Sequence, residues 1–538
     1  MSRRYPACVP WVLAGLGILG ALHHVFFYLY YGGFSYDQLL QLAGAWGLLR
    51  GKGLAYAGVD PRYPYAVAYP SIAGWWPPCY SRLVAVLLGA VPDVVRVTTW
   101  IDVAAAILFL AACGCLLRAA RLHLGVLGGG LLLAWWAAVS SPLRLLSSAE
   151  VLALALFCAA LAAAVLALRE GSHALPAAVA AGLFAGAAGA TRYAYWPLAA
   201  VVPACLMCLG WSSRKRLLRA AALGLGAAGV IFLAAWSQHR ENGYWMSPIV
   251  DQAGRPGFYP ANLLRMSPFP ADLLGLRRPV SAVLEWAAGS SADHWLPWAL
   301  WLVSICLLAV CLREAVRVLR RSPADDVEGR FLCLAAAGTA FVTVGVLMWL
   351  ALRHQAHPGG FAFVNEPRYY APAFLFFHLT AASVLARRVR ASGRARPPLL
   401  AALGLLFVGC ALPWMRLGEW AFLSENLYRQ GNKVFASVLR DRASLLSPAG
   451  RPVVYVDGDM SRLLAADAVG ALALNTRDWK DELYRLASYH GPVIVYCGYP
   501  CQDPAVVPLR DTLLRLGATR FAMPKYELWE WRGAAARP

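Results

Sequence analysis

Apolar runs of bilayer-spanning length recur about eleven times in this chain. They lie near residues 10–31, 97–117, 124–140, 149–168, 175–191, 194–211, 217–236, 295–312, 331–352, 367–386 and 398–415. A helix rises about 1.5 Å per residue, so roughly twenty apolar residues cross the hydrocarbon core once. Composition agrees: 59% of the residues are hydrophobic and only 14% charged, against roughly 25% charged in soluble domains. The expected fold class is an α-helical polytopic membrane protein with about 11 transmembrane helices.

The net charge of +20 does not point to nucleic acid, because the basic residues sit in short clusters between apolar runs. These clusters are Arg118 with Arg121, residues 212–219, Arg313 to Arg330, and residues 387–398. Short basic loops mark the cytoplasmic side of a membrane protein. With the N-terminus cytoplasmic, every cluster falls on that side, provided the short segment 77–91 lies along the membrane rather than across it. The first apolar run exceeds the roughly 7–15 residues of a signal peptide and ends in "HHVFFYLYY", so it reads as an uncleaved span of a plasma (inner) membrane protein.

Three outer loops (32–96, 237–294 and 353–367) and everything after Arg416 then face outward. The division is a membrane module over 1–415 and an extracytoplasmic domain over 416–538. In the tail, "RPVVYVDGD", "GPVIVYC", "TRFAM" and "YELWEW" alternate with amphipathic stretches, which predicts a small α/β layer with a mainly parallel sheet. It has no glycine-rich phosphate loop. Of the 13 cysteines, Cys497 and Cys501 lie in polar surroundings and could pair in an oxidising compartment. No set of further ligands suggests zinc, and His354 and His357 read as ordinary loop histidines.

Asp37 stands at the head of a segment whose apolar residues Leu39, Leu42, Trp46 and Leu49 share a helical stripe, with Gln38 and Gln41 on the other side. Such a helix lies flat at the water–lipid boundary. A carboxylate there can act as a general base or as a simple helix cap. The stretch from Arg62 to Tyr80 is rich in Tyr, Trp and Pro, suiting an interfacial belt or a sugar platform. Arg192 and Arg368 sit at outer helix ends, against the positive-inside bias, where a phosphate or a carboxylate such as Glu366 would partner them. Glu150 opens the fourth span, where capping or packing is its ordinary role. Glycines in 124–134 suit close helix packing.

Several motifs together resemble the GT-C superfamily of membrane glycosyltransferases, especially protein O-mannosyltransferases and lipid A aminoarabinose transferases. They are the aromatic-Asp pair at Tyr36-Asp37, "LLRGKGLAY", "WPPCY", "SSPLRLLSSAEVLALALF", "AGLFAGAAGATRYAYWPLAA" and "EPRYYAPAFLFF". The sequence departs from the pattern at Gln38, where many members carry a second acid, and at Trp76, where some carry a donor-binding lysine. The resemblance implies a polyprenyl-phosphate sugar donor, a hydroxyl acceptor on a glycolipid, envelope glycan or protein, no cofactor and no metal. It implies Asp37 as the base and Arg368, Arg192 and Tyr369 at the donor phosphate. Gln41, Arg62, Trp76, Tyr80 and Glu150 are the further substrate-binding candidates. The rival reading is a membrane transporter or lipid-linked glycan flippase. Against it, the sequence lacks matched halves and charges buried in mid-span.

Overall fold

The computed structural model describes residues 36–353 (except 56–57, 61–62, 69–75, 93, 135–147, 211–212, 247–256, 267–268, 275 and 322–325), 367–392 and seven short segments between 453 and 531. The expected spans 10–31 and 398–415, Arg62, His354, His357, Glu366 and Cys501 lie outside the described residues. In chain order the first elements are α1 (Tyr36–Leu49), β1 (Gly58–Asp60), β2 (Tyr63–Ala68), α2 (Cys79–Ala90) and α3 (Val94–Ala134). Then follow α4 (Ser148–Ala167), α5 (Ala174–Thr191), α6 (Trp196–Gly210), α7 (Arg214–Asn242), α8 (Phe269–Leu273) and α9 (Arg277–Ala288). The membrane helices end with α10 (Ala292–Arg321), α11 (Val327–Arg353) and α12 (Phe374–Ala391), the last preceded by a 3₁₀ segment, Pro367–Ala373. Strands β3 (Val453–Asp457), β4 (Leu472–Thr476), β5 (Val493–Cys497), β6 (Thr519–Ala522) and β7 (Glu527–Trp531) close the chain.

Among the described residues, seven helices are long and apolar enough to cross a membrane. Two expected spans, 97–117 and 124–140, prove to be one helix as far as Ala134: α3 is continuous over 41 residues, about 60 Å long. Arg118 and Arg121 lie within this helix rather than in a loop between two spans: "RAARLH" contains neither Gly nor Pro and its residues sustain a helix. The stretch expected as outer loop 237–294 carries helices α8 and α9 besides the end of α7.

The chain divides into two compact units. The first comprises 1–31, 75–79 and 98–420. Its interior helices are α4 and the 368–391 segment, 78% buried over their apolar windows, whereas α7 and α10 are only 17% buried and present most of their surface outward. Helix α5 packs on α7 through Gly182, Gly186 and Gly189. A Cβ at Gly186 would lie 2.6 Å from the Val230 Cβ and 2.8 Å from the Ala227 carbonyl oxygen. Small residues at this spacing let two membrane helices approach closely.

At one end of this bundle Arg219 donates to the Ala167 carbonyl (2.8 Å), closing the C-terminus of α4. Beside it Arg169 forms a forked pair with Glu328 of α11 (2.9 and 3.3 Å). That hydrogen-bonded carboxylate raises the Arg169 pKa further, so the guanidinium stays charged. The N-terminus of α4, the C-termini of α5 and α11 and the Pro367–Ala373 segment lie at the opposite end.

The second unit comprises 32–74, 80–97 and 421–538. β1 and β2 pair antiparallel with a register shift after Val59, so part of the aromatic loop is a hairpin. Strands β3–β7 form one sheet in the order β4-β3-β5-β7-β6. β3 is parallel to β4 and β5, whereas β7 is antiparallel to β5 and β6. The expected mainly parallel sheet is therefore half antiparallel. Only four residues separate β6 from β7, too few for a parallel crossover of a dozen or more. Strand β4, "LALNT", escapes a reading based on β-branched and aromatic residues.

Candidate active site

Helix α4 begins with Ser148, Ala149 and Glu150, so its one carboxylate sits in the first turn, where the helix dipole favours negative charge. Helix α5 ends at Thr191 because Arg192 turns extended (φ −146°, ψ 128°), its N–H still bonded to the Ala188 carbonyl. That extended residue aims the Arg192 side chain at α4. Its Nη2 donates to Glu150 Oε1 at 2.6 Å, and both residues are buried. From the Pro367–Ala373 segment, Arg368 brings Nη1 to 3.6 Å from the same Glu150 oxygen. Arg368 also donates through Nη2 to the Tyr369 hydroxyl at 3.3 Å and lies 4.9 Å from the Tyr369 ring centroid.

Two guanidiniums thus share the Glu150 carboxylate. The two cations differ in access: the Arg192 side chain is 9% exposed, that of Arg368 21%. The surroundings hold these groups in place. Tyr195 is buried with its ring 5.6 Å from Phe157 of α4. The Trp196 indole donates to the Gly189 carbonyl (2.9 Å), and the Tyr193 hydroxyl donates to Gln238 of α7 (2.5 Å). The 257–265 segment is tied to the end of α11 by the Gly257 and Tyr259 amides, which donate to the Arg353 and Leu352 carbonyls, and by Asn262, which donates to Ala351 (2.9 Å).

Four of the expected site residues, Arg192, Arg368, Tyr369 and Glu150, therefore gather in the first unit. Glu150 is a carboxylate partner of both arginines; Glu366 lies outside the described residues. Tyr193, Tyr195 and Gln238 were missed. The only sequence signal for the two tyrosines is their place beside the tight turn at Arg192; Gln238, far along the chain on α7, has none.

The other candidates are not part of this cluster. Trp76 lies in the short turn before α2, half-buried, followed by buried Pro77 and Pro78. Asp37 occupies the second position of α1, in the second unit. In that unit Gln38 donates to the buried Tyr80 hydroxyl at 3.5 Å. Gln41 is fully buried, and its amide has no hydrogen-bond partner among the described residues.

Here the expectation of a helix lying on its apolar stripe is corrected. The buried side chains include Gln38, Leu40, Gln41, Leu42 and Ala45, while Leu49 is 42% exposed. The face carrying Gly47 is closely packed as well: an added Cβ there would fall 2.1 Å from the Ala55 carbonyl oxygen, so α1 is covered on more than one side. Among the described residues no three His, Cys, Asp or Glu side chains cluster as a metal site.

The fold and this cluster define a multi-pass membrane protein whose helix ends gather two arginines on one buried carboxylate. No protein-family profile matches the sequence, and no curated protein matches it either. Solved structures do match. ArnT from Cupriavidus metallidurans bound to undecaprenyl phosphate aligns at a TM-score of 0.56 and 14% identity, over 99% of this chain and 100% of that one. The same protein in the apo state gives 0.54 and 13%, again over 99% and 100%. The oligosaccharyltransferase of Archaeoglobus fulgidus is more remote, at 0.48 and 13% over 98% of this chain and 74% of that one. At such identities the likeness is one of fold: the chain shares the fold of ArnT.

Proposed function

We propose that this chain is an inverting glycosyltransferase that moves a sugar from a polyprenyl-phosphate donor to a hydroxyl acceptor at the extracytoplasmic face. The acceptor is a glycolipid, an envelope glycan or a protein. The observation that carries the reading is the Arg192–Glu150–Arg368 cluster, set in a fold shared with a structure that holds undecaprenyl phosphate. The positive-inside rule supports the orientation: basic side chains crowd the bundle end that holds Arg169 and Arg219, opposite Glu150. The 416–538 tail is then the extracytoplasmic domain.

Arg368, the more accessible guanidinium, meets the donor phosphate. Arg192, more deeply buried on Glu150, fixes the carboxylate that positions Arg368. Tyr369 orients the Arg368 fork. The acceptor oxygen attacks the anomeric carbon as Asp37 takes its proton. The bond from that carbon to the phosphate oxygen breaks, and its electron pair leaves on polyprenyl phosphate. The Arg368 guanidinium, held in place through Glu150 and Arg192, stabilises the charge that develops there. Gln41, Arg62, Trp76 and Tyr80 are the residues of the outer loop assigned to sugar and acceptor.

The test uses the full chain in lipid, radiolabelled polyprenyl-phosphate sugars and a cell-envelope acceptor fraction. Wild type transfers label. Asp37→Asn loses at least about a hundredfold, as removal of a general base does. Arg368→Gln loses about 10²–10³-fold, the usual cost of one preorganised donor to developing charge. Equal transfer by Asp37→Asn removes the base, and no transfer by wild type with any donor sinks the enzyme reading.

A further inference from the structure

Helix α9 stops where Gly289 takes a positive φ (54°), a backbone that glycine adopts at no steric cost. One 3₁₀ turn, Gly289–Ser291, leads into α10, and α9 packs against that helix. Val280, Leu284 and Ala288 share one side of α9 and are half-buried. Ser281 and Glu285 share a second, polar side, where the serine hydroxyl donates to the carboxylate at 2.6 Å. The remaining side is apolar and open: Val283 is 63% and Trp286 88% exposed, with Ala282 and Ala287 exposed beside them.

The neighbouring α10 shows what that side meets. Its exposed residues Trp295, Trp298, Leu302, Ile305, Leu312 and Val316 fall on one face at helical spacing, the face that a spanning helix turns to lipid. Arg387, near the far end of α12, donates to Glu314 of α10 (3.2 Å), so the Ala292 end of α10 lies at the Glu150 end of the bundle. From Trp295 to Arg313 this helix covers about 27 Å, close to the roughly 30 Å of the hydrocarbon core. Trp295 and Trp298 therefore stand at the membrane boundary, the depth that indoles favour. Trp236 and Trp349, exposed near the C-termini of α7 and α11, lie at the same end. Only one short turn separates α9 from this belt. The lipid face of α10 continues onto Val283 and Trp286.

We propose that α9 is a membrane-docking helix, which sets Val283 and Trp286 among the acyl chains of the leaflet nearest Glu150 and keeps Glu285 toward water. An amphipathic helix binds a bilayer through such an apolar side. The surface is separate from the Glu150 cluster and does not depend on the transferase reading. The test is lipid quenching of the full chain in phosphatidylcholine vesicles that carry a nitroxide high on the acyl chain. Trp286→Cys and Glu285→Cys are each prepared with the accessible native cysteines replaced by serine, and labelled with an environment-sensitive dye. Quenching at 286 exceeds that at 285 at least about threefold, as expected of a helix with one side in the leaflet. Val283→Cys behaves like Trp286→Cys and serves if that variant does not fold. Equal quenching at 285 and 286, or none at either, overturns the proposal. A disulfide-linked dimer of Trp286→Cys without lipid quenching would reassign the face to a second copy of the chain and overturn it too.

Discussion

Glu150→Gln removes one charge and almost no volume, so it isolates the electrostatics of the candidate site. Glu150 is 5% exposed, with Arg192 at 2.6 Å and Arg368 at 3.6 Å on the same oxygen. Two opposite charges about 4 Å apart attract by about 4 kcal/mol at an effective dielectric of 20. Desolvation offsets part of this while the pair is intact. Breaking a buried pair from one side still costs about 3–5 kcal/mol, because the surviving charge stays buried. Here two guanidiniums survive and repel each other, although Arg368 is open enough to recruit water.

The expected loss is therefore about 3–4 kcal/mol, near the lower part of that range. Unfolding entropy of about 2.1 cal/mol/K per residue over roughly 400 residues converts this to a fall of about 3–5 °C in the thermal transition. Scanning fluorimetry in one detergent, at a fixed heating rate, reads it. The decisive arm is the cycle with Arg192→Gln. A joined pair shows a coupling of about 1.5–3 kcal/mol, with the double variant losing much less than the two single losses added together. Additive losses would refute the claim that these side chains are held by one another, and Arg368 would lose its positioning partner with them.

Three further outcomes follow from the packing. Gly186→Ala should destabilise by about 1–3 kcal/mol through overpacking against Val230, while Gly229→Ala, where a Cβ meets open space, leaves the same transition in place. Arg169→Gln should lower the transition by no more than about 1 °C, since its pair with Glu328 is 37% exposed on the arginine side and solvent screens such pairs; a fall as large as that of Glu150→Gln would contradict this ranking. Trp529→Ala empties a position only 1% exposed on β7, between β5 and the edge strand β6 of the five-stranded sheet, costing about 3–5 kcal/mol; limited proteolysis after residue 420 should accelerate while the membrane helices stay intact.

How much of this was legible in the sequence depends on the kind of signal. Span-length apolar runs announced themselves, because length and hydropathy are local quantities. Arg192 and Arg368 stood out for a local reason as well, being cations at helix ends where basic residues are scarce. Their partner did not. Glu150 is 42 residues before Arg192 and over 200 before Arg368, and no spacing rule connects the three. The boundary near Arg118 failed because charge alone was taken for a turn, whereas helix propensity ran straight through it. Half of the sheet's pairing was misjudged because strand direction follows connection length, which was not weighed at β6 and β7.

The face of α1 is the point at which sequence pattern and structure part most sharply, and labelling can decide between them. The apolar stripe of Leu39, Leu42, Trp46 and Leu49 would turn Leu49 inward and leave Gln41 in water. The structure exposes Leu49 and buries Gln41 completely, with Gly47 pressed against the backbone of Gly53 and Ala55. Single cysteines at 41 and 49, in a chain with its accessible native cysteines replaced by serine, test this with a water-soluble maleimide. Leu49→Cys should label at least tenfold faster than Gln41→Cys, and Gln41→Cys should approach the fast rate only when the chain is unfolded. The reverse order would restore the helix lying on its apolar stripe. The outcome bears on chemistry, because Asp37 precedes Gln41 by one helical turn. If Gln41 is sequestered, the turn carrying Asp37 starts a packed helix, and a base on a packed helix is held in one orientation, as proton abstraction requires. If Gln41 is open, Asp37 heads a surface helix, and its assignment as base then rests on the Asp37→Asn transfer assay alone.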